Sequence, residues 1–171
     1  MGGQIVAEIT ERQMAWHIAH SFGIRQNICV PNLSWGMGFW EIDLAVLTKS
    51  GYLWEVEIKC SIADLKADKL KTKWRNPHFM EKFEAMISRY YIAVPKYLAE
   101  KVKMDDLQPC AGLLSVDPDA QASCLIVQQI RPTSKKNGRK LTDAERLQLA
   151  RLGTMRYWSE CERQFKSKIV V

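Results

Sequence analysis

The chain has 171 residues, 47% of them hydrophobic and 26% charged, with a net charge of +6 and a pI near 9.1. That length suits one domain with a sizeable core, the hydrophobic content excludes a wholly disordered chain, and the basic balance suits a polyanionic partner. No apolar run approaches a membrane span, and Met1-Gly2-Gly3-Gln4 lacks the basic and apolar regions of a signal peptide, so a cytoplasmic protein without a membrane partner is expected.

Thr10-Glu11-Arg12-Gln13 has the form of a capping box, and Met14, Ile18 and Phe22 follow at helical spacing, so the first predicted element is a helix stopped by Gly23. Asn27 to Val30, before Pro31, reads as a short strand. Trp40 to Val46 and Leu53 to Lys59 both alternate as strands do, and Thr48-Lys49-Ser50-Gly51 between them has the content of a hairpin turn. Ser61-Ile62-Ala63-Asp64 caps a helix expected to run through Leu65 and Leu70 toward Lys73. Arg75-Asn76-Pro77-His78 breaks it, and a short helical piece from Met80 to Met86 follows.

Arg89 to Val94, aromatic and β-branched and closed by Pro95, reads as a central strand. A short helix is predicted over Tyr97 to Val102, then strands over Ala111 to Val116 and Cys124 to Gln128. Residues 131–140 hold five basic and no acidic residues with Pro132 and Gly138, the pattern of an exposed basic loop. Thr142-Asp143-Ala144-Glu145 is another capping box, opening a long C-terminal helix from about 143 that should pack Leu149, Leu152, Met155 and Trp158 inward. With no internal repeat or second core, the order predicts a single α/β domain over 1–171, a central mixed β-sheet flanked by helices.

The five cysteines (Cys29, Cys60, Cys110, Cys124, Cys161) are scattered, odd in number and never in a CxxC pair. This speaks against a disulfide framework or a zinc site and for reduced, mostly buried thiols.

The most informative pattern is D…ExK: Asp43 in the first hairpin strand, Glu57 and Lys59 in the second. A period of two puts Glu55, Glu57 and Lys59 on one face, opposite Tyr52, Trp54, Val56 and Ile58, and hairpin pairing brings Asp43 beside Glu57. Magnesium is commonly held by one or two carboxylates plus phosphate oxygens and water, so Asp43 and Glu57 suit metal-assisted phosphodiester hydrolysis. Lys59 would orient a water or offset developing charge. The plain alternative is an exposed ion pair on a solvated face, and spacing alone leaves both open.

The segment Glu57 to Lys69, with its Ser61-x-x-Asp64 helix start and Asp68, followed by Arg89 to Pro95 and Ala111-Gly112-Leu113-Leu114, resembles MmcB-like DNA-repair endonucleases and related phage-encoded proteins of the PD-(D/E)XK nuclease superfamily. The resemblance runs from about Trp40 to Asp117. It implies a restriction-endonuclease-like core, Mg2+ or Mn2+ as cofactor, DNA as the favoured substrate and endonucleolytic action in repair or phage-related processing. It also implies catalytic roles for Asp43, Glu57 and Lys59, a first-helix glutamate for which Glu11 is the choice and Glu8 the reserve, and metal binding by Asp43 and Glu57. The superfamily's Pro-Asp reads Ile42-Asp43 here, and residues 71–82 form a longer hydrophilic stretch than in the repair relatives. Because the superfamily includes proteins that bind DNA without cleaving it, a non-cleaving nucleic-acid-binding module is the alternative.

Glu41 is a supporting candidate, Glu55 reads as a solvated sheet residue before an assistant to the metal, and Asp64 and Asp68 read as helix-terminal and helix-face charges before ligands. Residues 59–75 carry six basic and two acidic residues, and Lys66, Lys69 and Lys73, with Lys135, Lys136, Arg139 and Lys140 of the basic loop, are the candidate phosphate contacts. His17 and His20 lack a third ligand for a metal, and Trp35 and Trp40 read as core before base-stacking. Oligomeric state is left open, a homodimer included.

Overall fold

Helix α1 (Glu11–Ser21) starts where its capping box predicts. In the computed structural model, which describes residues 9–34, 36, 37, 40–117 and 126–169, the Gln13 N–H donates to the Thr10 hydroxyl at 3.3 Å, and the Thr10 N–H donates to the Gln13 side chain at 2.9 Å. Strand β1 (Ile28–Leu33) runs through Pro31 where the sequence predicts a stop. It is an edge strand, where a missing donor costs no ladder bond.

Strands β2 (Ile42–Leu47) and β3 (Leu53–Ile58) form the predicted hairpin, with Leu44 opposite Val56 and Ala45 opposite Glu55. In its turn the Gly51 N–H donates to the Thr48 carbonyl at 2.8 Å, and Gly51 sits at φ +93°, open to glycine and strained for other residues. The alternation breaks between Ile42 and Leu44. Ile42 and, before the strand, Trp40 pack in the core on the face that carries Glu55, whereas Leu44 and Val46 pack in the other.

The helix after Ser61 is shorter than predicted. The Ser61 hydroxyl accepts from the Asp64 N–H at 3.1 Å, but α2 (Ile62–Asp68) ends before Leu70, which is 63% exposed, and the chain re-enters through a 3-10 turn over Thr72–Trp74. That turn aims Lys73 inward. Asn76 caps α3 (Pro77–Met86), with Pro77 at the first helical position, so the breaker of one helix is the start of the next.

Strand β4 (Ile87–Pro95) is central and parallel to β3 and to β5 (Gly112–Val116), and α4 (Lys96–Ala99) is shorter than the Tyr97–Val102 expectation. The last strand, β6 (Val127–Arg131), lies three residues beyond the predicted one, and Cys124 falls outside the described residues. The six strands take the order β1-β2-β3-β4-β5-β6 in one mixed sheet. The fold is therefore α/β with helices flanking a central mixed sheet, as the sequence order predicts.

Each face of the sheet has its own core. On one, Met14 and Ile18 of α1 meet Leu44, Val46, Val56 and Ile58; on the other, Leu53, Leu65, Phe83, Tyr90 and Ile92 pack together with Leu149. Helix α5 (Asp143–Ile169) opens on the Thr142–Glu145 capping box and packs on β1. Its 27 residues span roughly 40 Å. Six-residue β1 covers only about half of that. Leu149 is buried and Leu152 half-buried, whereas Met155 and Trp158, expected inside, are 52% and 64% exposed.

The stretch 132–139 is irregular, as predicted, but it is pinned rather than free. A Cβ on Gly138 would meet the Ile87 backbone at 2.5 Å, so the loop can lie this close to β4 only with glycine there. Cys29, Cys60, Cys110 and Cys161 form no disulfide and are half-buried rather than deep in the core.

Candidate functional site

Three sequence-predicted residues converge. The hairpin register carries Asp43 beside the end of β3, where its Oδ2 accepts a hydrogen bond from the Ile58 N–H at 2.8 Å. Strand parity puts Glu57 and Lys59 on the same face, with Lys59 Nζ 2.9 Å from Glu57 Oε2 and 3.6 Å from Asp43 Oδ2. The plain exposed ion pair is excluded, because the Glu57 side chain is 0% and the Lys59 side chain 4% exposed.

Four further charged side chains, Glu55, Asp68, Lys71 and Lys73, close the cluster, and the sequence pattern assigns none of them a catalytic role. Lys71 Nζ lies 2.5 Å from Glu57 Oε2 and 3.1 Å from Asp68 Oδ1. Lys73 donates to Glu57 Oε1 at 2.9 Å and to Glu55 Oε1 at 2.7 Å, and its ammonium sits over the Trp74 and Tyr90 rings at 4.8 and 4.9 Å. The Trp40 indole N–H donates to Glu55 at 3.0 Å, and the Tyr90 hydroxyl donates to Asp68 Oδ2 at 3.1 Å.

Glu55 and Asp68 are thus corrected from solvated charges to buried ones. Glu55 shares the parity of Glu57, and Asp68 stands three residues after buried Leu65 on the same face of α2, so both signals were in the sequence. Lys71 and Lys73 gave no such signal, since the turn that aims them inward has no repeat to read.

Electrostatics separate the carboxylates. Burial would raise Glu57, but the Lys73, Lys59 and Lys71 ammoniums outweigh it and hold its carboxyl well below the usual range. Burial and then the Glu57 charge raise Asp43, against the Ile58 N–H and Lys59. Burial pushes Glu55 up to about 7 in spite of Lys73. Burial also works against the Lys59 ammonium, yet Glu57 and Asp43 raise it, so Lys59 is a donor at neutral pH and not a base.

No family model matches the chain, and no curated protein matches it in sequence. Among solved structures it is similar to the SPO1766 protein of unknown function from Silicibacter pomeroyi, at 19% identity and a TM-score of 0.55, over 98% of this chain and 96% of that one. The likeness covers the whole architecture and speaks for the fold alone.

Other predicted residues are not brought to the cluster. Glu11 is exposed on α1, which packs on the opposite face of the sheet, and Glu8 lies outside the described residues. Glu41 is exposed and takes no part in the cluster's ion pairs. Lys73 and Lys135, expected at phosphates, are buried at 3% and 4% exposure, Lys135 donating to the Glu84 carboxylate at 2.9 Å. Arg139 is held by Glu145 at 2.7 and 2.8 Å, Lys69 donates to the Asp105 carbonyl, and Lys140 lies over the Tyr52 ring. Lys66 and Lys136 are exposed, as a phosphate contact requires.

Among the described residues no group of three His, Cys, Asp or Glu side chains forms a ready metal cage. Magnesium does not need one, because phosphate and water complete its shell. The donors on offer are hard carboxylate oxygens, and the buried Asp68 Oδ1 accepts no hydrogen bond, so the donor chemistry fits a divalent cation of that class.

Proposed function

We propose that this protein is a metal-dependent nuclease of the PD-(D/E)XK type with a restriction-endonuclease-like core, acting on DNA, endonucleolytically, with Mg2+ or Mn2+. The observation that carries the reading is the meeting of Asp43, Glu57 and Lys59 on one sheet face, at distances where carboxylates and ammonium act on a common group. Asp43 and Glu57 would hold the cation, which when bound polarises a phosphoryl oxygen and makes a bound water more acidic.

The chain's own residues do the rest. The Ile58 N–H fixes the Asp43 carboxylate so that it need not reorganise on binding substrate. Lys59, kept cationic, offsets charge developing on the phosphate. Tyr90 and Trp74 hold Asp68 from behind, and Lys66 and Lys136 attract the polyanion at the surface. Repair or phage-related DNA processing and a cytoplasmic setting accord with the motif resemblance and with Cys29, Cys60, Cys110 and Cys161, which form no disulfide among the described residues.

One observation favours a second reading, a non-cleaving DNA-binding module on the same fold. Both Glu57 oxygens are already taken by ammoniums. A cleavage screen over single-stranded, duplex and branched DNA and RNA, with and without divalent metal, separates the two. The nuclease gives metal-dependent product; the module gives salt-sensitive binding without metal and no product on any substrate.

A further inference from the structure

We infer that Lys71 is a built-in competitor for the divalent cation: its ammonium bridges Glu57 and Asp68, and a cation held by Asp43 and Glu57 must displace it into solvent to take the Glu57 oxygen, with Asp68 Oδ1 beside it. The inference rests on the nuclease reading for the identity of the cation.

Position comes first. Lys71 Nζ is 2.5 Å from Glu57 Oε2 and 3.1 Å from Asp68 Oδ1, and the latter contact lacks hydrogen-bond geometry. Asp68 Oδ1 therefore faces this seat from a side chain 1% exposed, where its contacts are the Lys71 ammonium at 3.1 Å and the Lys59 ammonium at 3.5 Å.

Exposure comes second. The Lys71 side chain is 39% exposed and that of Asp43 25%, while those of Lys59, Lys73, Glu55, Glu57 and Asp68 are at most 4%. Lys71 and Asp43 are the cluster's wall toward water. Lys73 is caged by aromatic rings and Lys59 sits at the end of a strand, whereas Lys71 stands in the turn between α2 and the 3-10 turn, tethered by its N–H to the Asp68 carbonyl at 3.1 Å. Its side chain can swing out without moving a helix.

Charge comes third. Asp43, Glu55, Glu57 and Asp68 face Lys59, Lys71 and Lys73, one negative charge in excess when all are ionised. Without Lys71 the excess is two, the charge of one divalent cation. Adding the cation while Lys71 stays would reverse the sign in a buried site, so exchange is the favoured path. The exchange lowers the apparent metal affinity to the intrinsic one multiplied by the fraction of time Lys71 leaves the seat empty.

The test counts free Mn2+ by electron paramagnetic resonance in titrations of wild type, Lys71→Met and Lys101→Met, the last removing an exposed charge outside the cluster. Lys71→Met should bind Mn2+ at least about tenfold tighter than wild type, with Lys101→Met unchanged. If wild type binds Mn2+ and Lys71→Met binds no tighter, the competitor role is overturned while the nuclease reading stands. If neither binds at millimolar Mn2+, both are overturned. In the wild-type chain, acylation of Lys71 by an amine-reactive reagent, read by mass spectrometry, should rise severalfold with saturating Mn2+. An unchanged rate overturns the inference even where the variant does not fold.

Discussion

Lys73 donates to Glu55 at 2.7 Å with both side chains withdrawn from water, one at 2% and the other at 0% exposure. Removing one member of such a pair strands the other, whereas removing both does not. Lys73→Met should therefore cost about 3–5 kcal/mol in denaturant unfolding. Adding Glu55→Gln to it should restore at least ~1 kcal/mol. Strict additivity of the two substitutions would show that the pair is not the unit described.

Stability should depend on pH in two opposed windows. Glu57 is held low when folded, so its contribution is present above the ordinary carboxylate value of 4.5 and is lost as acid protonates it. Glu55 titrates at about 7 when folded against 4.5 when unfolded, so the native state holds an extra proton between them and stability falls as pH rises across that interval. Equilibrium unfolding should show a maximum near the lower end of the interval. In Glu55→Gln the decline toward neutral pH should disappear; its persistence would move the cause elsewhere.

The hairpin and its charges were legible in advance because a strand's period is short and local. Parity alone placed Glu57 with Lys59, and turn content placed Asp43 beside them. The rest of the site comes from residues 68–74, where α2 ends and a 3-10 turn reverses the inward face, so no periodic pattern announced Lys71 or Lys73. Burial of lysine ran against composition too: Lys73 and Lys135 looked like surface charges until aromatic rings and the Glu84 carboxylate accounted for them. The first-helix glutamate failed for a topological reason, since α1 packs on the other face of the sheet.

Binding to DNA should divide the basic residues by exposure. Lys66→Ala and Lys136→Ala should each weaken duplex binding and lower the slope of log affinity against log salt by about 1. Lys135→Ala should leave that slope unchanged and instead cost about 1 kcal/mol of stability, because the half-exposed Glu84 carboxylate loses its hydrogen bond from Lys135. An altered slope in Lys135→Ala would contradict its structural role.

Lys59→Met should lower the cleavage rate by roughly 100-fold or more while DNA binding changes little, since the ammonium is aimed at the carboxylates rather than at the surface. Single-turnover kinetics with prebound substrate separate the two effects. A loss confined to affinity would make Lys59 a binding residue only.

The most direct test is the cleavage rate of wild type against Asp43→Asn on the same DNA substrates, with Mg2+ and with chelator. Asparagine can still accept the Ile58 N–H, so the hairpin should hold while a ligand charge is lost. Wild type should give product with Mg2+ and none with chelator, and Asp43→Asn should cleave at least about 100-fold more slowly. Equal product from wild type and variant, or none from wild type on any substrate, would contradict the nuclease reading.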